Sequence, residues 1–257
     1  MDNIQVPEDH PRYQSITTRE KLIRAMDDRI LAPAGLIAHG RGEAFDYLFG
    51  EETPAPAAAA LTAAAACLLT AKHPVLSVNG NVAALCPEEL VKLSEASEAV
   101  LEVNLFYRSL EREKAIEKVL LQAGAREVLG IGEKASETVP EIGSERRRID
   151  PGGIGRADVV FVPLEDGDRT EGLIAMGKTV ITVDLNPLSR TSRKSSITIV
   201  DNIVRVLPLL TAEVVRLKGH SAEELQGILK GFSNPRNLKG MTDYIAERMK
   251  KISFKGE

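Results

Sequence analysis

Tryptophan is absent, aromatic residues make up only 4% of the chain, and 33 lysines and arginines are outnumbered by 37 aspartates and glutamates, for a formal charge of −4. Single-stranded nucleic acid needs aromatic platforms and duplexes need a basic surface. Nucleic acid is therefore not expected as a partner. Cysteine is nearly missing too: Cys67 and Cys86 stand alone, with no CxxC pair. This excludes a disulfide framework and a thiolate zinc site, fits a reducing cytoplasm, and leaves both as expected small core residues. The four histidines are scattered singly. The most apolar stretch, Ala57 to Ala71, is alanine-rich and shorter than the roughly 20 residues that span a bilayer. It is read as a buried helix, so no membrane association is expected. The opening MDNIQVPEDHPRY has neither the basic nor the apolar segment of a secretory signal, and a cytoplasmic location follows as the expectation. GxxxxGK[ST], HExxH and GxSxG do not occur, and Gly130-Ile-Gly132 lacks the third glycine of a dinucleotide fingerprint.

What is present suits a globular protein: 257 residues, 43% hydrophobic and 27% charged. Residues 14 to 72 read as helical. Thr17-Thr-Arg-Glu20 has the form of a capping box, a glycine-punctuated turn is expected over Gly35 to Gly42, a short helix over Glu43 to Phe49, and Pro54 and Pro56 open the alanine-rich helix. From residue 74, β-branched runs alternate with helical patterns: Val75–Val78, Ala99–Val103, Val128–Ile131, Asp158–Val162, Thr179–Val183 and Ser196–Val200. Gaps of about 20 to 30 residues suit βα units. The interval after Val183 is too short for a full crossover helix, so the last strand is expected at an edge or antiparallel. The chain turns helical again after Asp201, with a capping box at Ser221-Ala-Glu-Glu224 and a frayed tail over Lys250 to Glu257. The expected fold is α/β: a Rossmann-like, mostly parallel sheet of about six strands with N-terminal and C-terminal helical additions. Its regions are residues 1–72 (helical), 73–205 (nucleotide-binding core) and 206–257 (helical), forming one compact unit.

Ligands of open parallel sheets bind beyond the carboxyl ends of the strands. There the chain has Asn79-Gly80-Asn81, Asn104, Glu165-Asp166-Gly167-Asp168, Asp184-Leu185-Asn186 and Asp201-Asn202. Each such residue also serves as a cap or turn former, so their recurrence carries more than any one of them. Asp168-Arg-Thr-Glu171 reads as a helix start with Asp168 at the cap. Glu165, Asp166 and Asp168 have the chemistry to hold Mg²⁺ beside substrate phosphates, with Asp166 and Asp168 as ligands, or to deprotonate an incoming amine. Ser189-Arg190-Thr191-Ser192-Arg193-Lys194 supplies cations and hydroxyls for a polyphosphate. In Gly40-Arg41-Gly42, flanking glycines allow close approach of a ligand to the backbone, and His39 beside them is a candidate contact. Residue chemistry alone thus reaches an α/β protein with an anion-binding edge.

Six motifs carry a resemblance: His10-Pro-Arg-Tyr13, Gly35 to Tyr47 (GLIAHGRGEAFDY), Val78 to Leu85 (VNGNVAAL), Val162 to Glu171 (VPLEDGDRTE), Val183 to Arg190 (VDLNPLSR) and Thr198 to Ile203 (TIVDNI). In this order and spacing the chain resembles the archaeal phosphopantothenate synthetase family. The last 40 or so residues carry no such motif. The resemblance implies a dimeric, Rossmann-like enzyme of archaeal coenzyme A synthesis. It condenses 4-phosphopantoate with β-alanine, using ATP and Mg²⁺ and releasing AMP and diphosphate through an acyl-adenylate. It further implies ATP contacts at Arg19, Arg41, Asp184, Leu185, Asn186, Arg190, Thr191, Asn202 and Ile203, where Thr191 stands in place of a frequent serine and keeps the hydroxyl. Asn79, Gly80, Asn81 and His39 are expected at the acid substrate, and Arg41, Glu165, Asp166 and Asp168 in catalysis. Two other classes fit the same residues: a nucleotide-binding regulator without turnover and a small-molecule kinase acting on pantoate.

Overall fold

The structure is a computed structural model that describes residues 6–252 apart from positions 11 and 141. Pro11 of the His10–Tyr13 motif and the tail beyond residue 252 therefore lie outside the described residues. Three helices lead the chain: α1 (Tyr13–Asp27), α2 (Pro33–Phe49) and α3 (Ala55–Thr70). There follow β1 (Pro74–Val78), α4 (Gly80–Leu85), α5 (Pro87–Ser97), β2 (Val100–Val103), α6 (Leu110–Gln122), β3 (Glu137–Thr138) and β4 (Arg148–Ile149). The second half holds β5 (Val159–Pro163), α7 (Gly167–Ala175), β6 (Thr179–Val183), α8 (Arg190–Lys194), β7 (Ile197–Ile199), α9 (Ile203–Leu217), α10 (Ala222–Gly231) and α11 (Asn234–Lys251).

Five strands form one parallel sheet in the order β2-β1-β5-β6-β7, and β3 pairs with β4 as a separate antiparallel ribbon. The central strands are buried along their length because helices cover both faces. Leu76, Val78, Phe161, Ile181 and Ile199 face a core shared with α3, α5 and α9, while Val75, Val160, Val162 and Val180 face Leu173 of α7 and Ile149 and Ile154. Alternate residues of one strand thus enter different cores, as the period of two requires. The alanine-rich α3 is an interior helix. It packs against α9, α10, α11 and β7, and small side chains let it be approached from all these directions. Cys67 and Cys86 are free and buried, and burial pushes both thiols up to about 12.

The α/β architecture agrees with the expectation, and several local readings change. Residues 128–131 do not form a sixth strand. Leu129 makes one parallel bridge with Glu102, and at Gly130 the backbone turns to φ +80° with a Cβ position only 2.5 Å from the Val103 carbonyl oxygen, which ends the pairing. The last strand is at an edge but runs parallel. Its crossover is short because α8 has a single turn or so, and the Ser192 hydroxyl (2.8 Å to the Asn186 carbonyl) and that of Thr198 (2.8 Å to the Ser192 carbonyl) tie it down. The open side of β7 is closed by α11: Asn234 accepts from Thr198 N–H at 2.9 Å and Asn237 donates to its carbonyl at 3.0 Å. The C-terminal helices, which no motif covers, thus seal a sheet edge.

The expected turn at Gly35 to Gly42 is helix. Pro33 near its start sets φ for the first turn, and α2 runs unbroken to Phe49. Gly35 serves close approach instead of bending: a Cβ there would lie 2.5 Å from Leu31 and 2.6 Å from the Asn81 side chain. Thr17 is likewise interior to α1, bonded to the Tyr13 carbonyl at 2.8 Å, because the helix already begins at Tyr13. Helix α7 starts one residue before Asp168. Its cap is Asp166, which accepts from Arg169 N–H at 3.1 Å. The capping box at Ser221 and Glu224 is present as read.

Candidate functional site

The order β2-β1-β5-β6-β7 has its switch point between β1 and β5, where the connections leave in opposite directions. A crevice is expected there, outside the carboxyl ends of the strands. A cleft of about 650 Å³ lies in that place, roofed by α2. Asn79 stitches the two sides of the switch point together. It caps α4 through Val82 N–H (3.1 Å) and donates to the carbonyls of Pro163 (2.8 Å) and Leu164 (3.2 Å), across to the end of β5. Asn81 holds the roof, donating to the Gly35 carbonyl at 3.0 Å. Gly80 lies between them on the cleft wall.

On the β6–β7 side the cleft is lined by Asp184, Leu185, Asn186, Arg190, Thr191 and, from the start of α9, Asn202 and Ile203. Burial pushes the Asp184 carboxyl above its ordinary range, opposed by its hydrogen bonds and by the charge of Arg41. Its oxygens accept from the Ser189 hydroxyl and from Asn186 N–H (2.9 Å), which folds the loop back on itself. Thr191 donates to the Glu165 carbonyl at 3.0 Å and so ties α8 to the neighbouring loop. Arg190 is exposed and pairs with Asp168 and Glu171. Asn202 caps α9 and donates to Asp46 of α2 at 2.7 Å, while Arg205 bridges Asp46 and Asp201. This buried network fixes the helix that carries Arg41 and His39 over the cleft. Burial lowers the pKa of His39, opposed by the Glu43 carboxylate and aided by the Arg19 charge, which favours the neutral imidazole.

The middle of the cleft holds Leu164, Glu165, Asp166 and Gly167. The Glu165 side chain is 1% exposed and lies between two guanidiniums, Arg146 and the wholly buried Arg169, which is 2.9 Å away and also donates to Ser77. Asp166 pairs with Arg146 as well as capping α7, and its side chain is 41% exposed. Two expected site residues do not line the cleft: Asp168 points at Arg190 on the outside, and Arg19 sits behind His39, bonded to the Ser15 carbonyl. The remaining fourteen converge on it.

The β1–β2 side brings residues that the sequence reading passed over: Phe106, Tyr107, Arg112 and Arg146, with Phe45 from the roof. A signal for the first two existed, since adjacent aromatics stand two residues past Asn104 at a strand end in a chain poor in aromatics. Arg146 had only the run Arg146-Arg147-Arg148, which looks like an ordinary solvated loop. Asn104 supports it from below, donating to the carbonyls of Arg146 (3.2 Å) and Arg148 (2.9 Å).

A parallel α/β sheet with a cationic crevice at its switch point, roofed by a helix, is the form of a nucleotide- or phosphate-handling protein. The phosphopantothenate/pantothenate synthetase family model matches residues 56–248, and the chain belongs to that family. It is 50% identical over 254 residues to the 4-phosphopantoate–β-alanine ligase of Thermococcus kodakarensis, covering 98% of this chain and 97% of that one. The proteins of the same name from Methanosarcina mazei (47% over 248 residues, 96% and 97% covered) and Methanospirillum hungatei (45% over 244 residues, 95% and 98% covered) are similar over nearly their whole lengths as well. Among the described residues no helix is long and apolar enough to cross a membrane.

Proposed function

We propose that the protein is an ATP-dependent ligase that joins 4-phosphopantoate to β-alanine in coenzyme A synthesis, acting in the cytoplasm as a homodimer. The observation that carries this reading is the 45–50% identity, over 95–98% of the chain, to proteins named for that reaction. In the proposal a carboxylate oxygen of 4-phosphopantoate attacks the α-phosphorus of ATP, and the bond to diphosphate breaks. The ammonium of β-alanine loses one proton to become an amine, whose nitrogen attacks the activated carbonyl; as the bond to AMP breaks, the nitrogen loses a second proton and the amide is formed.

Arg41 and Arg190 meet the phosphates, where charge develops, and preorganised cations there supply the largest catalytic contribution. Arg190 gives up its exposed pairs with Asp168 and Glu171 to do so. Arg19, behind His39, supports the roof electrostatically. Asp184, Leu185, Asn186, Thr191, Asn202 and Ile203 hold the nucleoside, and Asn79, Gly80, Asn81 and His39 face the acid. Of the three expected catalytic acids, Asp166 both lines the cleft and reaches solvent, so it accepts the β-alanine proton. Glu165 fixes Arg146, and Asp168 is the counter-ion of Arg190. No group of three His, Cys, Asp or Glu side chains suited to a metal ion exists among the described residues. This donor set fits Mg²⁺ only as an ion carried by phosphates and water, and of the two expected ligands only Asp166 lines the cleft. So held, it would neutralise charge on the phosphate oxygens.

Product analysis tests the reading. ATP, Mg²⁺, 4-phosphopantoate and β-alanine should yield AMP and diphosphate. ADP would indicate a kinase, and no turnover a nucleotide-binding regulator.

A further inference from the structure

The family description covers both phosphorylated and unphosphorylated products, whereas the relatives above are named for the phosphorylated acid. What decides between them in this chain must be a group that recognises a phosphomonoester. The β6–β7 side of the cleft is assigned to the nucleotide above. The β1–β2 side lies about 10 Å or more away, two strand spacings along the sheet edge.

Two guanidiniums line that far side, bracketing one dipeptide. Arg146 sits over the Phe106 ring, 5.3 Å from its centroid, and Arg112 donates to the Tyr107 carbonyl, while the two rings meet edge-to-face at 4.9 Å. Arg146 is paired, but the charge of Arg112 is not matched locally. Arg146 and Arg169 together face Glu165 and Asp166, two cations against two anions. Among the described residues Arg112 has no carboxylate in ion-pair range; its partners are the carbonyls of Tyr107 and Ile30, the latter at 2.9 Å. The Nε–H groups of Arg112 and Arg146 are both buried without an acceptor. A half-buried guanidinium beside a second one, with only carbonyls for partners, is costly unless an anion joins them. Burial and the neighbouring Arg146 charge both act to lower the pKa of Arg112, as that cost requires.

We propose that Arg112 and Arg146 form the seat of the phosphomonoester of the acid substrate, and so set the preference for 4-phosphopantoate over pantoate. A planar fork is the donor geometry that a phosphate dianion matches. Asn104 fixes the backbone that carries Arg146. The assignment rests on the ligase reading above. With the phosphate anchored there, the acid's carboxylate is directed back along the cleft toward Arg41 and Arg190.

Steady-state AMP formation with 4-phosphopantoate and with pantoate tests this. For Arg112→Gln and, separately, Arg146→Gln, the KM for 4-phosphopantoate should rise by about 10- to 100-fold, the size of a lost charge-assisted hydrogen bond. The KM for ATP should stay within about twofold, and the preference over pantoate should fall by the same factor as the first change. Arg112→Lys should recover part of it. In the absence of ATP, 4-phosphopantoate should raise the melting temperature of the unaltered protein but not of Arg112→Gln. That variant's own melting curve separates a lost contact from a lost fold. A rise in the KM for ATP with the preference intact would overturn the seat, as would an unchanged preference. No AMP from the unaltered protein would bring down the ligase reading, whereas AMP with an unchanged preference would bring down the seat alone.

Discussion

The two halves of the cleft are built differently. On the β6–β7 side every polar residue follows a strand within a few positions, and loops are short and locally bonded: Asp184 to Asn186, Ser189 to Ser192, Asn202 to Val204. On the β1–β2 side the cations are held by residues distant in sequence: the Arg112 guanidinium donates to the Ile30 carbonyl, and Asn104 donates to the backbone carbonyl of Arg146. One half is a property of strand ends. The other is a property of tertiary packing. In the proposed division the nucleotide is held by features common to parallel sheets, and the acid by side chains that only tertiary packing brings together.

The largest expected effect comes from breaking the support under the β1–β2 half. Arg169→Met leaves Glu165 buried with only Arg146 beside it, and should cost about 3–5 kcal/mol of unfolding free energy by urea denaturation. A loss below about 1 kcal/mol, the range of an exposed pair, would show that the buried pair does not hold this half together. Next is the roof. Arg41→Ala should lower AMP formation by about 10²- to 10³-fold, the scale of one lost transition-state donor. Its melting curve should be unchanged, since Arg41 is exposed. Full activity would remove the β6–β7 half from the phosphate chemistry.

These comparisons explain what was legible in the sequence. The parallel sheet, the interior alanine helix and the strand-end rim follow from hydrophobic runs and from the turn chemistry of Asn and Asp, which are local. The helix over Gly35 to Gly42 was not legible, because glycine favours turns locally and only Leu31 and Asn81 pressing on Gly35 show why it is there. Residues 128–131 have the composition of a strand, but register with Glu102 ends at one bridge. Arg112 and Arg146 are ordinary surface residues until the fold sets them around Phe106 and Tyr107. The Asn234 and Asn237 contacts that close β7 are equally non-local.

Smaller effects sharpen the contrast. Glu102 of β2 lies beneath the β1–β2 half, and its two oxygens accept from Asp150 N–H (3.1 Å) and Ile154 N–H (2.6 Å). Burial raises its pKa to about 7 against an ordinary 4.5, with those hydrogen bonds opposing. A raised folded-state value stabilises fully below the unfolded value and loses that contribution as pH rises through 7. The melting temperature should therefore fall between pH 5 and pH 8, and the slope should be absent in Glu102→Gln; an equal slope in both would assign it elsewhere. Smallest is Asp168→Asn, which releases Arg190 from an exposed pair. The affinity for ATP should improve by no more than about fivefold, the limit for a solvent-exposed ion pair. A weakened affinity would instead return Asp168 to the metal.

The division of the cleft is tested most directly by a crystal structure with a non-hydrolysable ATP analogue and 4-phosphopantoate bound together. The adenosine should lie against Asp184 to Asn186 and Asn202, its phosphates at Arg41 and Arg190, and the phosphomonoester of the acid between Arg112 and Arg146. An acid phosphate lodged at Arg41 and Arg190, or a nucleotide across Phe106 and Tyr107, would contradict it.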